Sequence, residues 1–184
     1  LHSLNLKQVA IHHSELMGKK YEECNYVVAH LGGGSSIAAH QKGRQIDGTR
    51  SGAGQAPLQP NRIGDFCVED FKNYLKKTGL SAEEGFRKVC SIKAGFIDML
   101  GTDSMLEVKE MIKNGNSYAK LCYDAMEYGI VKWCGSMAGA LKGRVDGVLV
   151  TGGLANDAEL VERLKADLSW IAPVYIYPGS FETE

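Results

Sequence analysis

Residues 145–151 (VDGVLVT) narrow the folds open to this chain more than any other stretch. The run is mostly apolar, so it suits a strand buried on both faces. Gly152-Gly153 ends it, and residues 156–168 follow as a helix. A strand that passes through two glycines into a helix belongs to an α/β layer structure. It also puts backbone amides and a helix N-terminus at the carboxyl edge of a sheet, where ligands of α/β proteins bind. The bland alternative is an ordinary strand–helix corner.

The amino-terminal part carries further strands. Residues 3–18 place Leu4, Leu6, Val9, Ala10, His13, Leu16 and Met17 at near-helical spacing. Residues 25–30 (NYVVAH) form a short strand ending at 31–34, 36–39 resume as a strand, Lys42-Gly43 is a turn signal, and 44–47 form a third strand. This is a hairpin or meander with a glycine loop inside it. Residues 48–64 hold Gly, Pro, Gln and Asn with little periodicity and read as a long loop, a length that is usually functional or disordered. Helices are expected over 67–77, 81–98, 104–113 and 116–141, with a capping box at 81–84 and a helix stop at Gly79. A last strand covers 172–177, ended by Pro178-Gly179. No repeat, low-complexity segment or dividing linker is visible.

The 184 residues suit one large domain or a lobe of something bigger. A net charge of −1 gives no electrostatic footprint for nucleic acid or an anionic membrane, so a phosphate site must use local donors. The five cysteines include no CxxC pair, which argues against a disulfide framework or a zinc ribbon; most sit in apolar stretches and read as buried thiols in a reducing cytosol. No signal peptide and no membrane-length apolar run appears, which points to the cytoplasm. The chain opens at Leu1 within a helical segment and closes at Glu184 just after a strand and turn, and both ends read as cuts through a larger protein.

Three segments could carry chemistry. In residues 30–36 (HLGGGSS), Gly32, Gly33 and Gly34 let the backbone come close to a ligand. Successive amides there can form a nest for phosphate oxygens. Ser35 and Ser36 add hydroxyls, and His30 could donate to a transferring phosphoryl group. The alternative is a glycine-rich hairpin with a structural histidine; the pattern is neither a Walker A loop nor GxGxxG. The second segment is the Gly152-Gly153 corner. The third is the loop with Asp47, Arg50 and Arg62. Phosphoryl transfer needs cations on the equatorial oxygens and carboxylates that hold Mg²⁺, although most loop Arg and Asp residues are only solvated. His2, His12, His13 and His40 read as helix-surface or strand residues, Trp133 and Trp170 as core or interface, and the lysines of 72–77 as a solvated face.

Taken together these segments resemble the acetate and butyrate kinase family, along the whole chain. Residues 1–18 look like the helix before its glycine loop, and 27–47 (VVAHLGGGSSIAAHQKGRQID) its histidine-glycine phosphate segment with the following hairpin. Residues 118–142 resemble its long helix, 146–155 (DGVLVTGGLA) its adenosine segment, and 172–182 (APVYIYPGSFE) its last strand and turn. The resemblance implies an α/β, ribonuclease H-like fold shared with actin-like ATPases, with a mixed sheet and flanking helices. It implies reversible transfer of the ATP γ-phosphate to a short-chain carboxylate such as butyrate, with ATP/ADP as substrate and Mg²⁺. It also implies that the chain is the carboxyl-terminal nucleotide-binding lobe of a two-lobed, homo-oligomeric enzyme, with the amino-terminal lobe absent.

By that resemblance His30 contacts the transferring phosphate, and Gly32, Gly33 and Gly34 form a phosphate loop assisted by Ser35. Arg62, in PNRIG, stabilises the transition state; Arg50, in GTRSG, looks like the acetate kinase arginine motif, but Arg62 fits the butyrate kinase spacing from His30 better. Gly152, Gly153 and Leu154 contact adenosine, and Glu182 matches the acidic residue near Mg²⁺, while Asp47 stays a metal candidate on its residue type alone. Two departures stand out. Residues 48–61 differ from the usual butyrate kinase loop, and 101–106 (GTDSML) lack the Asp-x-Arg of relatives, with Leu106 where the arginine would stand. The expectation is little or no turnover by this chain alone. A non-catalytic nucleotide-binding module and a structural dimerisation piece built on the long helix are the alternatives.

Overall fold

The computed structural model describes residues 2–179. They form two units: one from the residues up to 49 and from 130 onwards, the other from 50–129. The second is therefore inserted into the first. No linker marks the return, because the boundary falls within one helix, α6 (Ser117–Ala140).

The first unit is built on a mixed five-stranded sheet. Its strands are β1 (Asn25–Leu31), β2 (Ser35–Gln41), β3 (Arg44–Gly48), β4 (Gly147–Gly152) and β5 (Val174–Pro178), in the order β3-β2-β1-β4-β5. β1, β4 and β5 run parallel, whereas β2 and β3 are antiparallel additions. The β2–β3 connection is a two-residue turn with Lys42 and Gly43 both at positive φ, the hairpin geometry that matches strand twist. β1 and β4 are buried at every position, as expected of central strands with both faces covered. β3 is exposed and carries Arg44 and Asp47, a charged edge that discourages strand addition.

α1 (His2–Leu16) covers one sheet face. Leu6, Val9 and Ala10 pack with Tyr26, Val28, Ala38 and Leu149, which the two-residue period of the strands sends to that side. Each large apolar side chain so buried contributes about 1.5–3 kcal/mol. His13 is buried, not on the helix surface as its sequence context suggested: its Nδ1 lies 2.6 Å from the Tyr177 hydroxyl, and its ring packs on Tyr175. α7 (Ala158–Leu168) buries Leu160, Leu164 and Leu168, one face at intervals of one turn.

In the second unit, α2 (Val68–Thr78) ends at Gly79 in the left-handed region, and α3 (Ala82–Val89) begins with the Ser81/Glu84 capping box. The helix expected over 81–98 is broken. α3 stops at Cys90, and α4 (Phe96–Leu100) restarts after Gly95, whose φ is +66°. A Cβ on Gly95 would lie 2.2 Å from the Gln59 carbonyl oxygen and 2.6 Å from that of Arg62. Close packing of this backbone on the 59–62 loop, absent from any local pattern, overrides the helical periodicity. α5 (Met105–Lys113) and the first half of α6 complete the unit. Cys24, Cys122 and Cys134 are buried, Cys90 is half-buried and Cys67 is exposed, all as free thiols. Among the described residues no helix is long and apolar enough to cross a membrane.

Candidate functional site

Parallel pairing decides what stands together in the first unit. His30 on β1 is in register with Thr151 on β4, so the segments Leu31–Gly34 and Gly152–Gly153 leave the sheet at the same edge. Thr151 lies against the turn after β5, its hydroxyl donating to the Gly179 carbonyl at 3.1 Å. Gly152 exchanges backbone hydrogen bonds with Gly179 at 2.9 and 3.3 Å. Three strand ends therefore converge at the carboxyl edge, the position at which open α/β sheets bind ligands.

The two glycine segments differ in what they require. Gly152 has φ +94°, and a Cβ there would stand 2.3 Å from the Leu31 carbonyl oxygen. Only glycine fits, and its absent side chain lets the two loops touch. Gly153 is exposed, with open space where a Cβ would go. Of Gly32, Gly33 and Gly34, the first takes no positive φ, so no left-handed turn requires a glycine there. What they supply is a bare, accessible backbone with Gly33 at its exposed tip. Ser35 is fully buried at the base of the loop, and Leu154, 8% exposed, is turned mostly into the interior.

His30 is 8% exposed and sits at the root of the loop. Its Nδ1 lies 3.0 Å from Oδ1 of Asn5, a fully buried residue of α1. Its Nε2 faces the loop, 3.7 Å from where a Cβ on Gly32 would stand. Asn5 was missed in the sequence because one polar residue on an amphipathic helix gives no signal until the packing of α1 is known.

The α7 N-terminus is less open than the sequence suggested. A 3₁₀ turn, Gly153–Asn156, separates β4 from α7. Asp157 is the N-cap, its carboxylate accepting from the Glu159 and Leu160 amides. The first helical amides are thus taken by the protein's own anion, which leaves the loop backbone, not the helix end, to receive a ligand.

Asp47 lies on the edge strand β3, two strands out from β1, and its Oδ1 accepts from the Gly48 amide at 2.7 Å. Glu182 lies outside the described residues. Among the described residues no group of three or more His, Cys, Asp or Glu side chains could hold a metal ion.

Arg62 belongs to the second unit. It closes a short bridge with Gln59, whose amide donates to the Arg62 carbonyl at 3.1 Å, and the Gly95 backbone packs beneath it. Among the described residues its guanidinium has no carboxylate partner. Arg50 forms a separate bridge with Gln55. Leu106 is 83% exposed on the first turn of α5. The same unit holds a cavity of about 480 Å³, lined by Ile63, Phe66, Phe71, Tyr74 and Met99 among others.

Comparison with known proteins agrees with this arrangement. Residues 1–171 match the acetokinase family. The chain is 41% identical over 182 residues to a "Probable butyrate kinase" of Coprothermobacter proteolyticus, covering 98% of this chain and 51% of that protein. It is 37% identical over 183 residues to a "Probable butyrate kinase" of Bacteroides thetaiotaomicron, covering 100% of this chain and 52% of that one. The crystal structure of Porphyromonas gingivalis acetate kinase superposes with a TM-score of 0.84 at 27% identity, over 93% of this chain and 43% of that one. The chain thus spans about half the length of the curated relatives it matches.

Proposed function

The chain belongs to the acetokinase family, and from that premise we propose that it is the carboxyl-terminal, nucleotide-binding lobe of a two-lobed kinase. The reaction is reversible transfer of the ATP γ-phosphate to a short-chain carboxylate, butyrate or a near homologue. The observation that carries this reading is the contact of Gly152 with the Leu31 carbonyl, which makes one cradle of two glycine loops far apart in sequence.

In the transfer a carboxylate oxygen forms a bond to the γ-phosphorus while the bond to the β–γ bridging oxygen breaks, and ADP leaves. No proton need move, so the protein's task is positioning and charge stabilisation. Gly32, Gly33, Gly34 and Gly153 offer backbone amides to phosphate oxygens, and Nε2 of His30 addresses the transferring group. By the family resemblance, Arg62 stabilises the transition state. The family form of the substrate is the magnesium complex of the nucleotide; the intact enzyme is cytoplasmic and homo-oligomeric in this reading. A lobe by itself lacks the opposing half of such a site.

Calorimetric titration of the chain with Mg²⁺–ADP tests the assignment. Gly153→Val fills open space and Gly33→Val alters an exposed tip, so both variants should fold. The expected result is binding that each weakens by about tenfold or more, the loss of one or two amide–phosphate contacts to a charged group. Binding unchanged in both variants would remove the nucleotide from this edge. The exposed Leu106, where the family resemblance would place an arginine, favours a second reading, a nucleotide-binding module without catalysis. Activity of the full-length product that is lost on Arg62→Ala would reject it.

A further inference from the structure

We propose that the cavity of the second unit is a binding site for a small, uncharged aromatic compound, and that its occupancy is felt by the 59–62 loop. The binding does not depend on the kinase reading above; only its effect on transfer does.

The cavity holds about 480 Å³, and small-molecule sites typically hold about 300–1,000 Å³. An apolar cavity of about 150 Å³ already takes benzene, so this one has room for a two-ring compound. Ile63, Phe66, Phe71, Tyr74, Val89 and Met99 form its apolar walls. Three rings and a thioether favour an aromatic guest, through edge and face contacts and through sulfur–ring contact. Four charged side chains complete the lining, Asp70 and Asp98 against Lys88 and Lys93, and all four are exposed. Two charges of each sign give no net attraction for an anion. Nucleotide, acyl phosphate and carboxylate are all anions, so this lining selects none of them.

Backbone packing builds the cavity, not loose side chains. Phe71, Tyr74 and Leu75 share one face of α2 at helical spacing, yet no residue of α2 is buried. α2 and α3 close on each other at Leu75 and Gly85, where a Cβ would have no room. The cavity opens between residues 70–74 and 88–89 of the same two helices. Phe66 is wedged in place: a Cβ on Gly54 would stand 2.5 Å from its ring, and its centroid lies 5.6 Å from that of Phe71. Gly95 lines the cavity and also packs against the Gln59 carbonyl and the backbone of Arg62. The next two amides, of Phe96 and Ile97, donate to the Gln59 and Pro60 carbonyls at 3.3 and 3.1 Å. Ile63, another wall, follows Arg62 directly in the chain. One strip of backbone thus touches both the cavity and the 59–62 loop, and a guest seated there braces that loop.

¹H–¹⁵N spectra of the labelled chain titrated with indole test the site. The expected result is saturable shifts at Ile63, Phe66, Phe71, Ala94 and Gly95, with a Kd of about 0.1–1 mM, the range open to so small a ligand. Gln59, Asn61 and Arg62 should shift along the same curve. Indole-3-carboxylate, the same ring system with a charge, should bind no more tightly. Met99→Trp puts a larger ring at an exposed part of the lining, and should weaken indole about tenfold or more while the urea midpoint holds. In the full-length product saturating indole should raise kcat about two- to fivefold, and Met99→Trp should remove the response. No saturable shift in the unaltered chain up to about 5 mM indole overturns the proposal, whatever the variant does. Carboxylate binding about tenfold tighter than indole overturns the ligand class. Wall shifts with none at 59–62 overturn the coupling. Wall shifts on concentrating the chain alone, without indole binding, would assign the cavity to a second copy and overturn the proposal. A full-length product that binds indole as expected but makes no acyl phosphate overturns the kinase reading and leaves the binding site standing.

Discussion

His40 shows what a single buried side chain does to the whole fold. It is fully buried on β2, its Nδ1 is 2.6 Å from the Tyr21 hydroxyl, and its Nε2 has no hydrogen-bond partner among the described residues. Burial first, and the Lys7 charge second, lower its pKa to about 4. His13 on α1 is lowered for the same leading reason, with His12 and Lys19 adding to it. The unfolded chain takes up these protons near pH 6.5, and the folded chain only at lower pH, for His40 near pH 4. Stability is therefore full above about pH 6.5 and falls as pH drops towards 4, because there the unfolded state binds more protons. At about 1.4 kcal/mol per pH unit, His40 accounts for a loss of about 3 kcal/mol across that window. Urea midpoints measured from pH 7 to 4.5 should show this loss, and His40→Gln, whose amide can still meet Tyr21, should flatten it. Equal slopes for the two proteins would contradict the assignment. None of this was legible in the sequence. A histidine in a strand, or one of two adjacent on a helix, can face in or out, and the tertiary packing alone decides.

At the scale of elements, local chemistry was legible and long-range contact was not. The Gly79 helix stop, the Ser81/Glu84 capping box and the Lys42-Gly43 turn all depend on residues within one turn of each other, and the structure keeps them. α7 starts at Ala158 and not at 156, because Asp157 caps it and Asn156 uses its side chain on the Gly153 carbonyl. The break before α4 was missed because its cause lies some thirty residues away, in the 59–62 loop. That contact supports a prediction about Arg62. Gly95→Ala combines a left-handed backbone, about 1–2 kcal/mol, with a clash against fixed carbonyls, about 1–3 kcal/mol. It should destabilise the chain by about 2–5 kcal/mol in urea unfolding. Amide shifts should move most at Gln59–Arg62, whose backbone the new methyl would displace. Shifts confined to residues 94–96 would show that the loop does not depend on this packing.

For the whole molecule, both halves of the glycine cradle were visible in the sequence, but their union was not, because β1 and β4 pair across some 120 residues of chain. The two glycine loops meet at the edge of one unit, yet phosphoryl transfer needs more than that. Holding donor and acceptor in line contributes about 7–11 kcal/mol of barrier lowering, and groups that act as a unit lose most of their effect when one is missing. A chain that spans about half of its relatives should therefore bind nucleotide but make no detectable acyl phosphate from butyrate and ATP. If the missing contribution is an amino-terminal lobe, supplying it separately should restore part of the rate. The portion of the Coprothermobacter relative outside the matched region is the natural candidate to add. A covalently joined lobe has an effective concentration of about 1 mM or more, so at micromolar mixing the recovered rate should be about 10²–10³ lower and should rise with the concentration of added lobe. Saturable recovery that disappears with Arg62→Ala would establish that Arg62 acts in transfer. Robust synthesis by the chain alone would show that the cradle, the histidine and the arginine suffice without a second lobe.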